Sequence, residues 1–206
     1  ERQRRRLIMI ASESTVPYAV RQALTSHYHN LYTEGYPPDE MRTMQEAALL
    51  DFDQHLADFR RYSDPRYYKG TEFANLVESL ARRRAAELFA TERLSAEKLF
   101  VNVQPLSGAP ANSAVYTALI APGDTIMGMD LLHGGHLTHG SPAARSGKQY
   151  NAVFYGVHPE TELIDYEGAY AIAMQHRPKI VIGGYSSYPL APDWQKLREI
   201  ADACGA

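Results

Sequence analysis

Between Leu99 and Ala203 the chain alternates short apolar runs with helix-forming segments, and that order constrains the fold more than any other feature. Leu99–Val103, Thr125–Met129, Tyr150–Val157 and Lys179–Gly183 read as strands. Between them, residues 111–121 read as a helix closed by Pro122-Gly123, and Asp165 caps a helix running to about His176; a last helix follows from about Asp193 to Ala203. Strands joined through helices lie parallel, because only a crossover of that length returns the chain to the same end of a sheet. The pattern therefore predicts an α/β fold: a mostly parallel sheet, helices on both faces, and ligands at the carboxyl ends of the strands. Upstream, residues 73–89 predict an amphipathic helix that buries Phe73, Leu76, Val77, Leu80, Ala81 and Leu88 and turns Arg82, Arg83 and Glu87 largely outward. No internal repeat is visible.

Pro37-Pro38 and Asp64-Pro65 bracket a polar, helix-prone stretch in which Met41, Met44, Ala47, Ala48, Leu56 and Phe59 form one loose apolar stripe. It reads as an inserted helical segment that either packs on the surface or serves as a lid or subunit contact. The chain then divides into an N-terminal arm (1–37), the insertion (38–65) and an incomplete first part of a larger α/β domain (66–206). At 45% apolar and 22% charged the composition is that of a soluble globular protein. A formal charge of −3 supplies no basic field for nucleic acid, and Arg2, Arg4, Arg5 and Arg6 form a local cluster facing solvent or a subunit partner. Cys204, the single cysteine, excludes an internal disulfide, fits a reducing cytosol and is expected to be buried. The apolar run from Leu7 is broken by Ser12 and Glu13, too soon for a signal-peptide core or a membrane span, so a cytoplasmic location is expected. The chain starts on Glu1 and stops at Gly205-Ala206, where a strand would be due, which reads as a fragment.

Three histidines at three-residue spacing, His133, His136 and His139, lie among Gly134, Gly135 and Gly140, a pattern that suits neither a helix interior nor a buried strand. It reads as a functional loop. Ser107-Gly108-Ala109 precedes a helix whose unpaired N–H groups and dipole favour an anion such as phosphate. Together the two loops suggest a phosphorylated aromatic cofactor, with its phosphate on the helix end and its ring against an imidazole. Two other readings stand beside it: a metal site on the three histidines, which the flexible glycines disfavour, and loop histidines that are merely hydrogen-bonded.

Ile10-Ala11-Ser12-Glu13, Tyr32-Thr33-Glu34-Gly35-Tyr36-Pro37, Arg66-Tyr67-Tyr68, Asn102 to Gly108, Ala111-Asn112, His133 to Pro142 and Gly183 to Tyr188 occur in this order along the chain. In that order the chain resembles the N-terminal half of the serine hydroxymethyltransferases. The resemblance implies the fold type I architecture of pyridoxal 5'-phosphate enzymes, truncated after the first part of the large domain. It also implies a homodimer or dimer of dimers with shared active sites, and reversible conversion of serine and tetrahydrofolate to glycine and 5,10-methylenetetrahydrofolate.

Carried over motif by motif, the resemblance makes His136 the histidine stacked on the cofactor ring and Ser107, Gly108 and Ala109 the phosphate loop. Ser186 would lie near the cofactor's phenolic oxygen and Ser12 near the substrate carboxylate, with Leu131, Gly135 and Leu137 lining the folate site. Tyr32, Glu34 and Tyr68 would reach the neighbouring subunit's site, Tyr32 toward phosphate and Glu34 toward the serine hydroxymethyl group. Glu34, closed away from water, would have its pKa raised and act as an acid. The chain departs from the family where Ala109 replaces a frequent serine, where Lys69 replaces a glycine, and in the segment between Glu34 and Tyr68. Neither Lys69, Lys98, Lys148, Lys179 nor Lys196 has the sequence context of the family's cofactor-binding lysine, so these residues alone are expected to be inactive. A related pyridoxal-phosphate aldolase or transaldolase, and a non-catalytic half-length partner subunit, are the alternatives.

Overall fold

A parallel sheet forms where the alternation predicts one, but with three strands among the described residues instead of four. The structure, a computed structural model, describes residues 2–10 and 12–206, excepting the side chains of residues 2 and 3. Ala11 of the Ile10–Glu13 motif and the Arg2 side chain of the basic cluster lie outside that description. In chain order the elements are α1 (Arg2–Arg5), α2 (Tyr18–Leu24), α3 (Glu46–Leu49), α4 (Phe52–Tyr62), α5 (Phe73–Phe89), α6 (Gly108–Leu119), β1 (Thr125–Met129), α7 (Arg145–Gln149), β2 (Asn151–Tyr155), α8 (Tyr166–His176), β3 (Ile180–Val181) and α9 (Trp194–Cys204). They fall into two compact units, Val16–Pro105 in one, and the residues before Val16 with Leu106–Ala206 in the other.

In the second of these, β1 is central and pairs in parallel with β2 and β3, Met127 standing opposite Val153 on one side and Val181 on the other. Alternation along β1 then sorts its side chains. Ile126 packs with Tyr116 of α6 and with Tyr150. Met127 and Met129 face the other way, onto Ala169 and Ala173 of α8 and Leu197, Ile200 and Cys204 of α9. Both faces are covered, as expected. The Asp165 carboxylate accepts from the Gly168 N–H at 2.8 Å and Asp193 from Lys196 at 3.1 Å, so each aspartate starts its helix.

Leu99–Val103 is not a strand. It belongs to the other unit, where the Val101 carbonyl accepts from Arg82 Nε at 2.9 Å and the Arg42 guanidinium lies 4.3 Å from the centre of the exposed Phe100 ring. An apolar run becomes a strand only beside another strand, and none pairs with it among the described residues. Helix α5 spans the predicted residues but buries a different stripe: Asn75, Leu76, Ser79 and Ala86 turn inward, whereas Phe73, Val77 and Leu88 are exposed. The inward stripe meets the 38–65 segment, whose Met41 and Leu49 bury with Leu76 while Met44 and Phe59 pack against them. Ala47 and Ala48 of the expected stripe stay exposed. Among the described residues no helix is long and apolar enough to cross a membrane.

Candidate functional site

The histidine loop follows β1 and consists of two successive single turns of one design. Leu131–His133 is capped at its start by Asp130, whose Oδ1 accepts from the Leu132 N–H at 2.8 Å, and ends at Gly134 with φ 106°. Leu137–His139 is capped by His136, whose Nδ1 accepts from the Thr138 N–H at 3.1 Å, and ends at Gly140 with φ 117°. Gly134 is doubly constrained: its φ is one that side chains rarely adopt, and a Cβ there would come within 2.7 Å of the Tyr188 backbone nitrogen. At Gly135 a Cβ would sit 2.0 Å from the Met129 carbonyl oxygen, so this glycine is required by the chain itself, whatever else passes it.

The three histidines hold three separate posts. His133 Nδ1 accepts from the Val157 N–H at 3.1 Å and ties the loop to the chain after β2. His139 is buried, its Nδ1 accepting from the His136 N–H at 3.3 Å. Burial holds its pKa below the ordinary range, opposed by a hydrogen bond to the Met129 backbone and assisted by the nearby His136, so the ring is neutral. His136 is half-buried, and its Nδ1 lies 2.7 Å from the Thr138 hydroxyl, which itself accepts from Asn112 Nδ2 at 2.8 Å. Since Nδ1 accepts, Nε2 carries the proton, and both tautomer and ring plane are set by Asn112 and Thr138. Among the described residues no three His, Cys, Asp or Glu side chains converge as metal ligands.

Helix α6 starts three residues earlier than the sequence suggests, so Ser107 is its N-cap and Gly108 and Ala109 form its first turn. The segment before it, expected to be a strand, is irregular chain. The first-turn N–H groups have no partner inside the helix, Ser107 makes no side-chain cap, and a Cβ at Gly108 would meet nothing within 4 Å. Unlike Gly135, Gly108 answers to no neighbour in its own chain; it opens the helix end to an approaching group. Ala109, Pro110, Ser113 and Thr117 of α6 line one open groove with His136, Leu137 and Thr138. A phosphate-bearing ring fits this arrangement: the groove that His136 lines reaches Ala109 and Pro110 in the first turn of α6, beside that helix's unpartnered N–H groups.

Ser186 reaches the same loop, its N–H donating to the Gly134 carbonyl at 2.9 Å. Its turn is pinned from below by Tyr155, whose hydroxyl donates to the Ile182 carbonyl at 2.8 Å and lies 3.2 Å from that of Tyr185. Burial pushes both phenols above their ordinary range, so both stay protonated. Leu131 and Leu137, which open the two turns of this loop, are half-exposed, and Ser12 is exposed in the same compact unit.

Tyr32, Glu34 and Tyr68 gather in the other unit. The Tyr32 and Tyr68 rings lie 4.7 Å apart at 59°, and the Glu34 carbonyl accepts from the Tyr67 N–H at 3.2 Å. The Glu34 side chain is exposed, so the burial expected to favour its acid form is not supplied by this unit. Arg66 donates to the carbonyls of Thr33 at 2.6 Å and Gly35 at 3.1 Å, on either side of Glu34. Asn112, Arg66 and Thr138 stand within the quoted motifs without a role there, and Tyr155 within a predicted strand, because their partners are remote in sequence: Asn112 and Thr138 are 26 residues apart, Arg66 and Thr33 are 33.

Comparison with known proteins agrees with the motif order. The sequence model of the family described as serine hydroxymethyltransferase matches residues 54–206. The serine hydroxymethyltransferase of Hydrogenovibrio crunogenus is 45% identical over 206 residues, which is 100% of this chain and 41% of that protein. That of Teredinibacter turnerae is 45% identical over 205 residues, again 100% of this chain and 41% of the relative. The chain thus spans 41% of the length of these relatives. With the family match covering residues 54–206, the chain belongs to the serine hydroxymethyltransferase family.

Proposed function

We propose that the protein carrying this chain is a serine hydroxymethyltransferase of pyridoxal-phosphate fold type I, which reversibly transfers the serine hydroxymethyl carbon to tetrahydrofolate, giving glycine and 5,10-methylenetetrahydrofolate. The observation that carries the reading is the His136 imidazole, locked by Thr138 and Asn112 on a groove it shares with Ala109 and Pro110 of the first turn of α6. Pyridoxal 5'-phosphate, when bound, withdraws electrons from the amino-acid α-carbon and weakens the bond held perpendicular to its ring.

The chain's own residues bind and orient. Ser107, Gly108 and Ala109 receive the phosphate, and because Ala109 has no hydroxyl the backbone N–H groups and the helix dipole do most of that work. His136 holds the ring plane, and Ser186, tied to Gly134, stands toward the phenolic oxygen. Ser12 faces the substrate carboxylate. Leu131 and Leu137 offer apolar surface to the folate, while Gly135 lets the loop pass tight against Met129. Tyr32, Glu34 and Tyr68 act in the neighbouring subunit's site, which makes a homodimer or dimer of dimers part of the proposal. There Glu34, covered by that neighbour, manages the proton of the hydroxymethyl group.

The test is glycine release from serine by the full-length protein, with and without tetrahydrofolate. Folate-dependent release is expected. Cleavage indifferent to folate would assign the protein to the aldolase or transaldolase class instead, and no cleavage would overturn catalysis altogether.

A further inference from the structure

We propose that Asp64, at the end of the 38–65 segment, is a positioning residue that acts through Arg66 to fix the backbone carrying Glu34; the proposal rests on the reading of Glu34 as the proton-handling carboxylate. Asp64 is 3% exposed and Arg66 2%. Asp64 Oδ1 accepts from the Arg66 N–H at 3.1 Å and from Asn75 Nδ2 at 2.9 Å. The Asn75 oxygen in turn accepts from Arg66 Nε at 2.7 Å, and Glu78 accepts from Arg66 Nη2 at 2.7 Å. So oriented, the guanidinium has one nitrogen left, and that nitrogen grips the carbonyls of Thr33 and Gly35.

Three consecutive carbonyls, those of Thr33, Glu34 and Gly35, are therefore each held, the middle one by the Tyr67 N–H and the last also by Gln104 Nε2 at 2.8 Å. The Glu34 backbone is clamped while its carboxylate remains exposed and able to reach outward. Lys69 closes the cluster: its ammonium donates to the carbonyls of Asp64 and Arg66, while Glu78 pairs with the Arg66 guanidinium. Asp64 Oδ2 is buried with no hydrogen-bond partner among the described residues. A buried charge left half-satisfied is a poor device for stability alone, and here it serves geometry instead. The 38–65 segment is thus joined to the Glu34 loop by hydrogen bonds running from Asp64 through Arg66, and Lys69, which departs from the family pattern, belongs to the same device.

The experiment is a double-mutant cycle in the full-length holoenzyme, with Asp64→Asn and Glu34→Gln singly and together, reading kcat and KM for serine, cofactor affinity and thermal unfolding. Misplacement of a catalytic group by about 1 Å costs up to roughly a hundredfold, so Asp64→Asn is expected to lower kcat at least about tenfold with KM and cofactor affinity little changed. On the Glu34→Gln background the same change is expected to cost less than about twofold, since the group it positions is gone. Equal losses in both backgrounds, or no loss, would overturn the proposal. If Glu34→Gln by itself leaves kcat unchanged, the role of Glu34 falls first and this proposal with it. Should Asp64→Asn fail to fold, Lys69→Met at an exposed position decides: a loss of about threefold confined to the Glu34 background supports the clamp, and an equal loss or none in both backgrounds refutes it.

Discussion

Thr138 is the residue on which the orientation of His136 turns. Its hydroxyl donates to the imidazole and accepts from Asn112, so Thr138→Val leaves Asn112 Nδ2 without its acceptor and His136 Nδ1 with the Thr138 N–H alone. The change is expected to lower stability by about 2 kcal/mol and cofactor affinity roughly tenfold, measured by urea unfolding and cofactor titration, with Thr138→Ser restoring both. Cofactor affinity unchanged in the valine variant would refute the relay. His139 makes a separate prediction. Its folded pKa lies below its ordinary value of 6.5, chiefly through burial, so the unfolded chain takes up a proton in a range where the folded chain does not. The stability this neutral ring contributes is fully present above that ordinary value and is lost as pH falls below it, toward the depressed folded pKa. Melting temperature should therefore fall with acidification from about pH 6.5 downward, and His139→Asn should flatten that slope; an unchanged slope would contradict the assignment. Glycine-flanked histidines were legible in the sequence because their residue types are unusual together. Thr138, Asn112 and Arg66 were not singled out, because an ordinary polar residue shows its role only once a partner 26 or 33 residues away is brought to it.

Among elements, those that carry their own boundary signals were read best. Helices α8 and α9 begin at aspartates that cap them through their side chains, and β1 was bounded by a Pro-Gly turn and an acidic cap. Leu99–Val103 failed because strand identity depends on a neighbour, and α5 buried the wrong predicted face because its inward stripe meets Met41 and Leu49 and carries Asn75 into the Asp64 and Arg66 cluster. Two glycines make the difference between structural and ligand-facing positions measurable. Gly135→Ala drives a Cβ into the Met129 carbonyl and should destabilise by more than about 2 kcal/mol, whereas Gly108→Ala, with open space around it, should shift stability by under about 1 kcal/mol. The same Gly108→Ala variant should weaken cofactor binding, since the new methyl occupies the approach to the α6 terminus. Equal unfolding free energies for the two variants, or an unaltered cofactor titration for Gly108→Ala, would contradict this division.

At the scale of the whole molecule, large apolar side chains stand exposed in both units: Val77 is 54% exposed, Leu88 78%, Phe89 71% and Phe100 79% in one, and Leu106 93% in the other. Such side chains are expected to be covered by further protein in the proposed assembly. The 206-residue chain expressed by itself is expected to bind a hydrophobic dye, to self-associate and to lack serine cleavage; a non-binding, monomeric, fully active chain would contradict the account. Whether the His136 groove holds pyridoxal phosphate for folate-dependent chemistry is decided by the absorbance spectrum of the full-length protein with cofactor, then glycine, then tetrahydrofolate. A visible band from bound cofactor is expected and, with glycine, a new longer-wavelength band that rises when tetrahydrofolate is added. A bound-cofactor band that ignores folate, or no band at all, would contradict that role of the groove.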